Sequence, residues 1–175
     1  MTGENDLYRK GISSVRAGKL LNSALFFIEH GQKRPHETTL AKVVRATFEK
    51  MGFMESEPTD EEPVALNPLA AVIEILSPIR GKIFFSAPQH LGWTIAENLY
   101  GLEDLTLEVV GDMISELLNT ITGSLLSELM PDQQFNLSIP RLCAAIPSGK
   151  DNTFVYHFNI DNNDIITIVL TDKDS

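Results

Sequence analysis

Cysteine is almost missing from this sequence: its 175 residues include one cysteine and one tryptophan. A single thiol, Cys143, excludes an intrachain disulfide and any metal site built from several cysteines, and it reads as a small apolar packing residue. The four histidines, His30, His36, His90 and His157, stand apart with no metal-ligand spacing. Positive charge is scarce too, with 14 Lys and Arg against 24 Asp and Glu, a formal net charge of −10. An acidic chain with no basic cluster is poorly matched to a phosphate backbone, so nucleic acid is not an expected partner. No apolar run approaches the ~20 residues of a membrane helix, and the opening residues lack the charged-then-apolar pattern of a leader. The expected compartment is the cytoplasm, with no membrane association.

The familiar nucleophile patterns are missing as well. The sequence holds no Gly-x-Ser-x-Gly and no Cys/His pairing. The stretch Ile146-Pro-Ser-Gly-Lys150 superficially looks like a phosphate loop, but Ala144 stands where the first glycine belongs and Asp151 where Ser or Thr belongs.

What is present is a globular composition, 43% hydrophobic, in a chain long enough to bury a real core. Its longest helical pattern spans residues 108–129. At 3.6 residues per turn, Val110, Ile114, Leu117, Leu118, Ile121 and Leu125 form a core-facing stripe. Glu108, Asp112, Glu116, Asn119, Gly123 and Ser127 fall on the opposite side. That side is unusual for a plain solvated face, because Asn and Gly inside a helix each cost roughly 0.5–1 kcal/mol. Glu116 and Asn119, three apart, emerge together. Gly123, about one turn on, leaves bare backbone that another molecule can approach.

The pattern Asp112-x-x-x-Glu116-x-x-Asn119-x-x-x-Gly123 resembles the signature helix of the CheC/CheX/FliY class of chemotaxis phosphatases, and within it the CheX-like branch. The context agrees. Two strand-like runs and a helix ending in Leu-Tyr-Gly precede the pattern, and Phe135-Asn-Leu-Ser-Ile-Pro140 follows. The resemblance covers roughly residues 38–172. It implies a helix that docks on a phosphorylated CheY-type response regulator. Asn119 would position the attacking water and Glu116 would dock to the partner, with Asp112 and Gly123 supporting close approach. It also implies no cofactor of this chain's own, the Mg²⁺ being held by the partner. No other glutamate is followed by asparagine three residues on, so a single site is expected. That fits the CheX branch, whose members commonly form homodimers through sheet edges. A second reading is a non-catalytic module that binds a response regulator or a flagellar-switch protein.

Elsewhere, residues 6–34 read as two short helices, weakly similar to a tetratricopeptide hairpin, giving an N-terminal helical extension over 1–36 and a CheX-like domain over 37–175. A helix is expected over 40–51, stopped at Gly52, and an exposed acidic loop over 55–63. Residues 69–76 and 79–86 read as a hairpin, residues 88–100 as a helix closed by Gly101, and residues 154–160 and 165–171 as a closing hairpin. A half-buried strand is expected where Phe135, Leu137 and Ile139 alternate with polar residues, and a short apolar run over 142–146. Trp93 reads as a core or rim anchor. The fold class is α+β, a mainly antiparallel sheet with long helices packed on one face.

Overall fold

The computed structural model describes residues 39–64, 67–101, 105–148, 153–161 and 163–172. The N-terminal extension expected over 1–36 lies outside the described residues. The described residues open with α1 (Thr39–Met51), which buries Leu40, Val43, Val44, Thr47 and Phe48 on one side, the residues that its spacing places together. Its end is bounded by Gly52 N–H donating to the Phe48 carbonyl at 2.8 Å.

A seven-stranded sheet follows, antiparallel throughout, comprising β1 (Ser56–Thr59), β2 (Leu69–Ser77), β3 (Gly81–Ala87), β4 (Asn136–Leu137), β5 (Arg141–Cys143), β6 (Thr153–Ile160) and β7 (Asp164–Asp172). The spatial order is β1-β6-β7-β3-β2-β4, and β5 also pairs with β2. Strand alternation sends Ala71, Ile73, Phe85, Ile168 and Leu170 to one face, where they join the core beneath the helices. The register of β2 with β3 (Ile73 opposite Ile83) and of β3 with β7 (Ile83 opposite Leu170) aligns these apolar rows.

Two expectations change. The acidic run over 55–63 is not wholly loop: Ser56 to Thr59 pair with β6, and Ser56 is buried. Pro58 is tolerated because β1 is an edge strand, where one side of the backbone needs no ladder partner. The strand expected through Ile139 stops at Leu137, and Ile139 is 88% exposed. Its apolar alternation outlasts its pairing with β2.

Two further helices among the described residues join the layer. In α2 (Gln89–Tyr100), Leu91, Ile95 and Ala96 are buried, and Gly101 closes the helix in the left-handed conformation (φ 62°), its N–H donating to the Glu97 carbonyl. The helix α3 (Leu107–Leu129) starts after Thr106, an N-cap whose hydroxyl accepts the Val109 N–H at 3.3 Å. It packs against α1, α2, β2 and β5.

Candidate functional site

The long helix α3 is a central element of the core as well as the bearer of the candidate site. Val110, Met113, Ile114, Leu117, Leu118, Ile121 and Leu125 are fully buried. Gly111, Thr122 and Leu126 are buried too, so the covered arc is wider than the apolar stripe alone indicates. Part of that width comes from β5: a methyl group on Gly111 would lie 2.7 Å from the Leu142 side chain, so the bare backbone there makes room for Leu142.

The uncovered arc carries the four sequence-derived residues together. Asp112, Glu116 and Asn119 are exposed, and Gly123 is half-buried. Helix geometry confines them to an arc of roughly 60°, with Glu116 and Asn119 separated by about 4.5 Å along the axis and the whole row about 16 Å long. Gly123 differs from Gly111 in an informative way: a methyl group there would meet nothing within 4 Å. Packing among the described residues therefore does not demand a glycine at 123.

Chemically, the face offers two carboxylates, one carboxamide and a stretch of bare backbone. A carboxamide both donates and accepts, so it can hold a water by two contacts without removing its proton. A carboxylate can pair with a cation on a partner. Among the described residues, no group of three or more His, Cys, Asp or Glu is placed to hold a metal ion.

Tyr100 is the residue near this face that the sequence reading did not assign to the site. It ends α2 and is 39% exposed, and burial raises its phenol pKa, helped by the nearby charges of Glu116 and Asp112. The sequence shows only an aromatic ahead of a helix-ending glycine, since its neighbours on α3 are set by tertiary packing.

A cavity of about 750 Å³ lies away from the α3 face, lined by residues that include Glu62, His90, Trp93 and Asp164. His90 Nε2 and Asp164 Oδ1 are 2.8 Å apart on its wall. Trp93 is half-buried, packing on the core and facing this rim, as an anchor would. None of the four α3 residues lines the cavity, so a convex helix face, rather than a pocket, is the candidate site.

Residues 69–150, from β2 to just past β5, match the family model for the chemotaxis phosphatase CheX. Solved structures agree in fold. The chemotaxis protein CheX from Vibrio vulnificus is similar with a TM-score of 0.61 at 18% identity, over 76% of this chain and 93% of that one. A CheX–CheY–BeF3–Mg²⁺ complex from Borrelia burgdorferi gives 0.62 at 15% identity, over 76% and 94%. FliY from Thermotoga maritima gives 0.54 at 17% identity, over 78% and 85%. No curated protein sequence matches the chain. The family resemblance read from the signature helix is thus met by a family model and by a shared α+β fold. No described helix is long and apolar enough to cross a membrane.

Proposed function

We propose that this chain is a protein-aspartate phosphatase that removes phosphate from a phosphorylated CheY-type response regulator. The observation that carries the reading is the row of exposed Asp112, Glu116 and Asn119 with half-buried Gly123, on a helix that buries ten residues in the core. The match to the CheX family model supports it, as does the similar Borrelia burgdorferi CheX seen with CheY, BeF3 and Mg²⁺.

In this mechanism the regulator brings the acyl phosphate and its Mg²⁺, and α3 enters beside them. The Asn119 carboxamide holds a water in line with phosphorus, converting a random encounter into an oriented attack. A carboxamide is too weak a base to remove the proton, so its contribution is geometric. Glu116, less than one turn away, pairs with a cation of the regulator and sets the register of docking. Asp112 extends the anionic row, and Gly123 lets the partner's backbone approach. No metal bound by this chain is required.

The test is phosphate release from a phosphorylated CheY-type regulator, with Asn119→Ala beside the wild type. The expected result is rapid release by the wild type and a fall of at least about 100-fold in the variant, the scale of a lost water-positioning contact. Asn119 is exposed, so folding should be retained. An unchanged rate in the variant would remove Asn119 from the mechanism. Regulator binding with no acceleration at all would favour the recognition-module reading.

A further inference from the structure

The α3 row raises an affinity problem. It presents two carboxylates to a partner whose reacting group is itself anionic, and it offers almost no apolar surface. Strong interfaces draw most of their free energy from a few well-packed aromatic anchors near polar contacts. Among the described residues, the exposed large hydrophobic side chains include two aromatic rings, Phe53 and Tyr100.

The packing brings both to the helical layer beside α3. A methyl group on Gly92 would lie 3.3 Å from Val110 and 3.7 Å from Ile114, so α2 crosses close over the first half of α3 and ends at Tyr100. Asn98 Nδ2, two residues before Tyr100, donates to the Gly52 carbonyl at 2.9 Å, tying the end of α1 to the end of α2. Phe53 follows Gly52. It is 76% exposed and holds φ at 54°, a left-handed backbone that strains any residue with a Cβ and is uncommon for an aromatic. The fold therefore keeps a bulky ring in solvent at a position where glycine would fit with less strain. The turn itself ends α1, with the Met54 N–H donating to the Phe48 carbonyl at 3.3 Å, but among the described residues the ring gains little packing from it.

We propose that Tyr100 and Phe53 are the aromatic anchors of the docking surface, flanking the Asp112–Glu116–Asn119 row and seating against the face of the receiver domain that carries its phosphorylation site. The inference rests on the proposed function and adds the source of affinity to it. The rings supply apolar burial and the α3 row supplies register and chemistry. Proximity of Tyr100 to the row is supported by the influence of Glu116 and Asp112 on its phenol.

The experiment is titration of the full chain with a CheY-type receiver domain activated by beryllofluoride and Mg²⁺, joined to steady-state phosphate release. Tyr100→Ala is expected to raise Kd and KM about tenfold or more, as truncation of an interface anchor does, with the loss falling on KM and not on kcat. Tyr100→Phe should recover most of the affinity, since the ring rather than the hydroxyl is the anchor. Phe53→Gly should weaken binding several-fold while leaving the protein at least as stable to heat, which separates docking from folding. Asn119→Ala should show the opposite split, with turnover lost and Kd kept. Tyr100→Ala and Phe53→Gly both binding within about twofold of the wild type would overturn the inference while leaving the phosphatase reading intact. A wild-type chain that binds no receiver domain would overturn both.

Discussion

Replacing Gly123 by alanine separates what the chain needs for folding from what the proposed docking needs. Among the described residues, a methyl group at 123 meets nothing within 4 Å, so no overpacking opposes it. The position lies inside α3, six residues from its end, where glycine is less favourable than alanine by about 0.8–1.0 kcal/mol. Gly123→Ala should therefore stabilise the fold by about 1 kcal/mol, or roughly 2–4 °C in Tm for a chain of this size. Calorimetry, or thermal unfolding followed by circular dichroism, reads that directly. Binding should move the other way: if the partner's backbone approaches the bare helix, the added methyl should raise Kd for an activated receiver domain by about tenfold, a cost near 1.4 kcal/mol. A variant that is no more stable than the wild type would refute the helix-interior argument. A stabilised variant with unchanged affinity would refute the role of Gly123 in close approach.

Two other perturbations probe the scaffold. Thr106→Ala removes the hydroxyl that accepts the Val109 N–H and should cost about 1 kcal/mol, measurable as a shift in denaturant midpoint without a change in slope. The second concerns His157 on β6, whose ring nitrogen lies 3.0 Å from the Thr167 hydroxyl. Burial lowers its pKa below the ordinary 6.5, outweighing Glu62 and Asp60, which raise it. The unfolded chain then takes up a proton at higher pH than the folded one. The His157 contribution to stability is fully present above pH 6.5 and is lost as pH falls through the depressed folded value. Thermal unfolding across that window should decline less steeply in His157→Gln than in the wild type. Equal slopes would show that the ring is solvated alike in both states.

Helices and long strands were legible because their periodicities are local. The spacing of Leu40, Val43, Val44 and Phe48 identifies α1, and Thr106 and Gly101 mark boundaries through cap chemistry that needs no tertiary information. The α3 row was legible for the same reason, since 3.6 residues per turn maps Asp112, Glu116, Asn119 and Gly123 onto one arc whatever surrounds them. β1 was not legible: Ser56-Glu-Pro-Thr59 has no apolar alternation, and it is a strand only because β6 offers it a ladder. Ile139 failed in the opposite sense, having the alternation without the partner. Tyr100 and Phe53 were invisible as a pair. The close crossing at Gly92 sets α2, which ends at Tyr100, against α3, and the Asn98–Gly52 hydrogen bond brings the residue before Phe53 to the end of α2, contacts between residues far apart in sequence.

Ten residues of α3 are buried in the core while the candidate site occupies the same helix. A site carried on a loop must be ordered when its partner arrives, and association then loses conformational entropy. A row fixed to a core helix is ordered beforehand, so little is lost. The same arrangement removes any mechanical buffer between core and site. Leu118, fully buried, directly precedes Asn119, so a packing defect that rotates the helix by a few degrees displaces the carboxamide with it. Under the proposed mechanism, turnover would depend on the alignment of a water at Asn119 and would be a finer gauge of the core's packing than any melting curve.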